Sequence, residues 1–224
     1  MNLIIEIIEK HSFQGCRSLK SIEIPSSVKE IKEYSFSGCT SLESIEIPSS
    51  ITCICSYTFS ECTSLKSIEI PSSVTFIYKY AFSKCTSLES IEIPSSITCI
   101  CSYAFSECTS LKSIEIPSSV THINSYAFSK CTSLEIKIPV NTVCNDAFYR
   151  GTYITFYKPN QRFLYNIIPN TSDQMKIMPC TFLKTGKTMK NQKLYTCITC
   201  NLRQGQCICE SCARICHSNH DVRS

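Results

Sequence analysis

The segment from Tyr195 to His220, YTCITCNLRQGQCICESCARICHSNH, carries six cysteines and two histidines in 26 residues. Cys197-x-x-Cys200 and Cys209-x-x-Cys212 are two-residue knuckles, the spacing that lets two thiolates converge on one ion while backbone amides support their charge. His217-x-x-His220 adds a pair of imidazoles. A segment with so few large apolar residues needs another core, and a structural zinc ion contributes about 10–16 kcal/mol per site. Zinc is therefore the expected cofactor.

Nothing else in the chain is arranged for catalysis. There is no phosphate-binding loop, no Ser/His/Asp constellation and no pair of carboxylates with an activated partner. A catalytic zinc would need an open position and a nearby base. No enzyme and no small-molecule substrate is expected. The lysine-rich stretch KTGKTMKNQK contains no aromatic residue, so it reads as a solvated loop and nucleic acid is not an expected partner. His11 and His122 fall at repeat positions filled elsewhere by other residue types and are expected to be plain surface residues.

What positions these groups is a repeat. Pro25, Pro48, Pro71, Pro94 and Pro117 are 23 residues apart, as are Phe13, Phe36, Phe59, Phe82, Phe105 and Phe128, and Cys16, Cys39, Cys62, Cys85, Cys108 and Cys131. A fixed period of that length signals a solenoid. In SLESIEIP the residues alternate as in a half-buried strand, with Ile91 and Ile93 on one face and Ser90 and Glu92 on the other. Proline ends the strand, PSS supplies a turn, and a second apolar pair such as Ile97 and Ile100 leads to an Ala-Phe-x-x-Cys corner. One such unit cannot bury enough surface to fold alone, so the units must stack at about 4.8 Å and each side chain joins a ladder of its own kind.

Stacking turns the sequence into columns. One runs Lys20, Glu43, Lys66, Glu89, Lys112, Glu135, another Glu61, Lys84, Glu107, Lys130. Opposite signs then lie on each other and a slip by one unit is penalised. A third column places like on like: Glu23, Glu46, Glu69, Glu92 and Glu115, ending at Lys137. It is either a solvated strand face or an acidic stripe for a basic partner. The corner cysteines are expected to be reduced, space-filling thiols. Cys53 and Cys55 lie two units from Cys99 and Cys101, about 10 Å at the ladder spacing, too far for a bridge, and are read as packing or surface variants, not a metal site.

These residues resemble the BspA-like class of leucine-rich repeats, whose unit is Leu-x-x-Ile-x-Ile-Pro, then Val-x-x-Ile, then Ala-Phe-x-x-Cys. The likeness covers residues 1 to about 157. It implies a curved, non-catalytic interaction scaffold of a class frequent among surface proteins of bacteria and protist parasites. LIIEIIEKHSFQGC aligns with SSVKEIKEYSFSGC, so the sequence starts within a repeat and reads as a piece of a longer protein. TYITFYKP is expected to be a last strand covering the final layer, with the array ending near Pro159.

The cysteine-rich end, CTF…TGKTMKNQKLYTCITC…CESCARICHSNHD, resembles the UBR box, the zinc finger of N-degron-recognising ubiquitin ligases. The resemblance adds Cys180 as an opening ligand and implies one zinc site from Cys197, Cys200, His217 and His220. The family's Cys-x-Cys-Gly continuation is not in this sequence, so Cys180, Cys209 and Cys212 lack a fourth donor that Cys207, Cys216 or water would supply. One or two zinc ions are expected. Family members that grip a basic N-terminal residue use carboxylates between and after the knuckles. Here NLRQGQ has none, and Asp221 alone follows the histidines.

Composition frames these modules. Residues 1–139 hold 11 Lys+Arg against 14 Asp+Glu, whereas residues 140–224 hold 11 against 4, so the two parts face different partners or each other. MNLIIEIIEK lacks a basic leader and a cleavage site, which favours a reducing, cytoplasmic setting over a secreted one despite 18 cysteines. No apolar run reaches the roughly 18 residues of a membrane span. The expectation is thus a mainly β repeat solenoid at 1–158, a linker at 159–177 and a small irregular zinc-binding domain at 178–224. Its partners would be proteins, bound through the exposed strand face, and its role that of a substrate-recruiting adaptor in a ubiquitin pathway. The rival is a surface, adhesin-type repeat protein with a relic finger.

Overall fold

The computed structural model describes residues 4–139, 142–144, 146–149, 152–157, 165–167, 194–197, 208–209 and 222–223. The chain divides into a unit Met1–Lys176 and a unit Ile177–Ser224. All regular structure among the described residues is β, and no helix is long and apolar enough to cross a membrane.

In the first unit the 23-residue turns from Cys53 onward each make two very short strands, and the earlier turns one. The Ile-x-Ile segments form β4 (Ser67–Ile68), β6 (Ser90–Ile91), β8 (Ser113–Glu115) and β10 (Glu135–Pro139). The segments after PSS form β1 (Ile7–Ile8), β2 (Glu30–Ile31), β3 (Cys53–Ile54), β5 (Phe76–Ile77), β7 (Cys99–Ile100), β9 (His122–Ile123) and β11 (Val143–Cys144). β12 (Tyr153–Tyr157) and β13 (Tyr165–Ile167) follow. One sheet has the order β13-β12-β10-β8-β6-β4, a second β11-β9-β7-β5-β3, and β1 pairs with β2. Pairing within the array is parallel and joins equivalent positions, Ser67 to Ser90 and Phe76 to Cys99.

The alternation read from the sequence is observed: Ile91 and Ile93 are buried, Ser90 and Glu92 exposed. Phe36, Phe59, Phe82, Phe105 and Phe128 are fully buried and stack in a ladder with centroids 5.3–5.6 Å apart. The PSS turn closes through Val28 N–H to Pro25 O at 2.9 Å, and the same bond recurs one turn on from Ile51 to Pro48 at 3.0 Å. Its second serine does more than turn the chain. Ser73 Oγ donates to Ile51 O and Ser96 Oγ to Val74 O, both at 2.6 Å, tying each turn to the one before it.

The expected last strand is present, since β12 pairs in parallel with β10 from Glu135↔Tyr153 to Pro139↔Tyr157. The sheet does not stop near Pro159, however. β13 adds antiparallel to β12, with Thr155 opposite Asn166, inside the stretch assigned to a linker. With the 23-residue period lost, no Ile-x-Ile pattern announced that strand.

The corner depends on two columns of left-handed backbone. His11, Tyr34, Tyr57, Tyr80, Tyr103 and Tyr126 have φ of 58–61°, and Gly15, Gly38, Glu61, Lys84, Glu107 and Lys130 have φ of 59–73°. Only glycine adopts this region without cost, a side chain adding about 1–2 kcal/mol. A Cβ on Gly38 would meet Gly15 Cα at 3.6 Å, an ordinary contact. Gly38→Ala is therefore expected to destabilise the unit by about 1 kcal/mol through conformation alone, measurable as a lower urea midpoint at unchanged m-value.

In the second unit β14 (Leu194–Cys197), β15 (Ile208–Cys209) and β16 (Val222–Arg223) form a sheet of order β15-β14-β16, both pairings antiparallel. The described part of this unit is thus a small three-stranded sheet.

Candidate functional site

The outer face of the six-stranded sheet is built from the residues that alternate with the buried isoleucines. Register sets serine on serine at Ser67, Ser90 and Ser113 and glutamate on glutamate at Glu46 and Glu69, and brings Glu115 beside Lys137. Glu23, Glu46, Glu69, Glu92 and Glu115 are all exposed. Lys137 Nζ lies 3.4 Å from Glu115, closing the column with an ion pair. Glu46, Glu69 and Glu92 have no ion-pair partner among the described residues. Neighbouring carboxylates at the strand spacing repel by about 0.9 kcal/mol per pair in water. An open groove of about 480 Å³ runs along this face between Ser67 and Thr155.

The alternating columns behave differently. Lys112 reaches Glu89 at 2.8 Å, Lys84 reaches Glu61 at 2.7 Å, and Lys130 reaches Glu107 at 3.2 Å. The Lys112 bond holds the Glu89 carboxyl below its ordinary range, and the Glu61 bond holds the Lys84 ammonium above its own. Opposite charges thus pair at three places in these columns, whereas Glu46, Glu69 and Glu92 of the stripe are left for solvent or a partner.

Five of the six corner cysteines are core thiols, as expected, and Cys16, in the first turn, is exposed. Cys39, Cys62, Cys85, Cys108 and Cys131 each donate S–H to the phenylalanine carbonyl of the preceding turn at 3.0–3.2 Å. Burial pushes the Cys131 thiol up to about 12 and raises Cys62, Cys85 and Cys108 well above the ordinary range. Repetition marked these cysteines as structural, but the donor role needed the stacking to appear. His11 heads the tyrosine ladder, 5.0 Å from Tyr34, and His122 is exposed on β9 beside Thr121 Oγ1 at 2.9 Å.

The second sheet exposes another surface. Its outer columns run Cys53, Phe76, Cys99, His122 and Cys55, Tyr78, Cys101, Asn124. Cys53 Sγ and Cys55 Sγ are 3.8 Å apart, a contact between neighbours on one strand that the cross-layer spacing did not suggest.

Of the ligands expected in the second unit, Cys180, Cys200, Cys212, His217 and His220 lie outside the described residues, as does Asp221. Cys197 ends β14 and Cys209 ends β15. The register sets Cys209 opposite Leu194 and Cys197 opposite Val222. Along β14 the position facing Cys209 is therefore three residues, about 10 Å, from Cys197. The strand that follows His220 lies directly beside Cys197.

The sequence pattern of the BspA type leucine rich repeat region, six copies, matches residues 3–98 and 75–201. The chain belongs to this family. Among solved structures the BspA-type array is similar to a leucine-rich repeat protein of T. pallidum, 30% identical, with a TM-score of 0.52 over 60% of this chain and 72% of that one. It is also similar to a leucine-rich cell surface protein of Faecalibacterium prausnitzii A2-165, 27% identical, with a TM-score of 0.50 over 70% of this chain and 52% of that one. Two curated proteins match over shorter spans. An E3 ubiquitin-protein ligase, hyd, of Drosophila melanogaster is 43% identical over 44 residues, 20% of this chain and 2% of the ligase. The auxin transport protein BIG of Oryza sativa is 34% identical over 53 residues, 24% of this chain and 1% of that protein.

Proposed function

We propose that this BspA-type protein is a protein-interaction scaffold that presents the serine–glutamate face of its six-stranded sheet to a basic partner segment. One observation carries the reading: Glu46, Glu69 and Glu92 stack in one column with no ion-pair partner among the described residues, whereas Lys84 with Glu61, Lys112 with Glu89 and Lys130 with Glu107 pair across layers. An extended chain with lysine or arginine at alternate positions would relieve the repulsion along the stripe. Glu46→Gln with Glu69→Gln and Glu92→Gln is expected to weaken binding of an alternating Lys/Ser peptide about tenfold, read by fluorescence anisotropy of the full chain, since three exposed pairs contribute about 0.5 kcal/mol each. Equal affinity of the triple variant and the parent would refute the stripe as the docking surface.

The cysteine-rich end is, in this proposal, a UBR-type zinc module that makes the protein a cytoplasmic substrate-recruiting adaptor in a ubiquitin pathway. Cys197 and Cys200 with His217 and His220 would hold one ion, and Cys180, Cys209 and Cys212 with a further donor the other. Support comes from the register that sets β16 beside Cys197 and separates Cys197 from the position facing Cys209. The 43% identity to a fly ubiquitin-protein ligase points the same way. The bound ion would supply the unit's core and no chemistry. A second reading, a surface repeat protein, is favoured by the likeness to the Faecalibacterium cell surface protein. Co-purification of ubiquitinated partners from cytosol supports the adaptor, and surface labelling of the intact cell supports the second reading.

A further inference from the structure

We propose that each Cys-Ile-Cys pair on the five-stranded sheet, Cys53 with Cys55 and Cys99 with Cys101, is a bidentate thiolate chelate for a soft divalent ion of the zinc and cadmium class. Two thiolates bound about 2.3 Å from one ion at the tetrahedral angle stand about 3.8 Å apart. Cys53 Sγ and Cys55 Sγ stand 3.8 Å apart without the ion. Two layers on, Cys99 and Cys101 occupy the equivalent positions, since Cys53 and Cys99 both pair with Phe76. All four are half-buried, so each sulfur is backed by the sheet and still open to solvent.

The surroundings suit a chelate better than a bridge. Alternate Cα atoms of an extended strand are about 6.8 Å apart, at the far limit of what a disulfide spans, whereas a metal inserted between the sulfurs needs no closer approach. Asn124 Nδ2 donates to Cys99 Sγ at 3.7 Å, a contact that strengthens when the sulfur carries charge. Between the pairs, the rings of Phe76 and Tyr78 stack at 5.9 Å and separate the two sites along the columns. Burial pushes the Cys55 thiol up to about 12 and the Cys101 thiol up to about 11. Cys55 and Cys101 therefore keep their protons at neutral pH. Binding forms two metal–sulfur bonds, releases two protons to solvent and changes no oxidation state, leaving two outward positions on the ion for water or for a donor from another molecule.

The test is a cadmium titration of the reduced full chain, followed by sulfur-to-cadmium absorbance and by native mass spectrometry. Cys53→Ser with Cys55→Ser, and Cys99→Ser with Cys101→Ser, are each expected to remove one ion per chain. Phe76→Cys with Tyr78→Cys is expected to add one, because the intervening unit offers the same backbone. Ions of the cysteine-rich end are lost in Cys197→Ser and not in these variants, so failure there is separate from failure here. Unchanged counts in both serine variants, or no gain from the added pair, would overturn the proposal.

Discussion

Phe82→Ala is expected to cost the array about 4–8 kcal/mol and to split its unfolding into two steps. The ring is fully buried and lies between Phe59 at 5.5 Å and Phe105 at 5.3 Å. Removing a buried phenylalanine costs about 3–5 kcal/mol, and each lost ring contact adds about 0.5–1.5 kcal/mol. In a solenoid each turn is stabilised only by its neighbours, so a defect in the middle uncouples the turns on either side. Phe13→Ala is the control, because Phe13 is half-buried and stacks on Phe36 alone, at 5.1 Å. Urea unfolding followed by far-ultraviolet circular dichroism should show one transition for Phe13→Ala and two for Phe82→Ala. A single transition in the Phe82 variant, shifted no further than in the Phe13 variant, would mean that the ladder is not what couples the turns.

Raising the pH from 8 to about 9.5 should remove roughly 7 kcal/mol from the same array. Burial holds Cys131 and Cys144 at about 12 and raises Cys62, Cys85 and Cys108 well above the ordinary thiol range. An unfolded thiol ionises near 8.5. The sign follows from linkage: below the unfolded value both states keep the proton and stability is complete, and above it only the unfolded chain gains by ionising. Stability is therefore lost as pH climbs from the unfolded toward the folded values. One unit above the unfolded value costs about 1.4 kcal/mol per thiol, and these five share most of the effect, with Cys39, Cys55 and Cys101, also raised by burial, adding to it. Cys85→Val should flatten the pH dependence by one such step. An unchanged slope in that variant would show that some other group sets the alkaline limit.

The same thiols show how far the sequence carries. The 23-residue spacing of Phe, Cys, Leu and Pro required stacked turns, because one turn cannot fold alone. The alternation in SLESIEIP assigned Ile91 and Ile93 to the core and Glu92 to the surface, as observed. Lys84 with Glu61 and Lys112 with Glu89 were readable as stacked opposites for the same reason. Glycine at 15 and 38, just before the repeated cysteine, was the available signal for the left-handed column. Repetition is the reason, since a periodic chain turns sequence distance into spatial distance.

Where the period ends, so does that conversion. β13 follows 159–164, which repeats nothing, and its antiparallel return to β12 depends on a sheet edge that exists only once the array has folded. The bond from Cys85 S–H to Phe59 O joins residues 26 apart, one period plus three, and requires the coil's path around the corner. The contact of Cys53 with Cys55 was decided by how side chains lean on one strand, a choice that composition leaves open. By itself the sequence determined the turn, its period and the columns. Only the tertiary structure decided which atoms within neighbouring columns meet, because that depends on backbone angles the pattern does not encode.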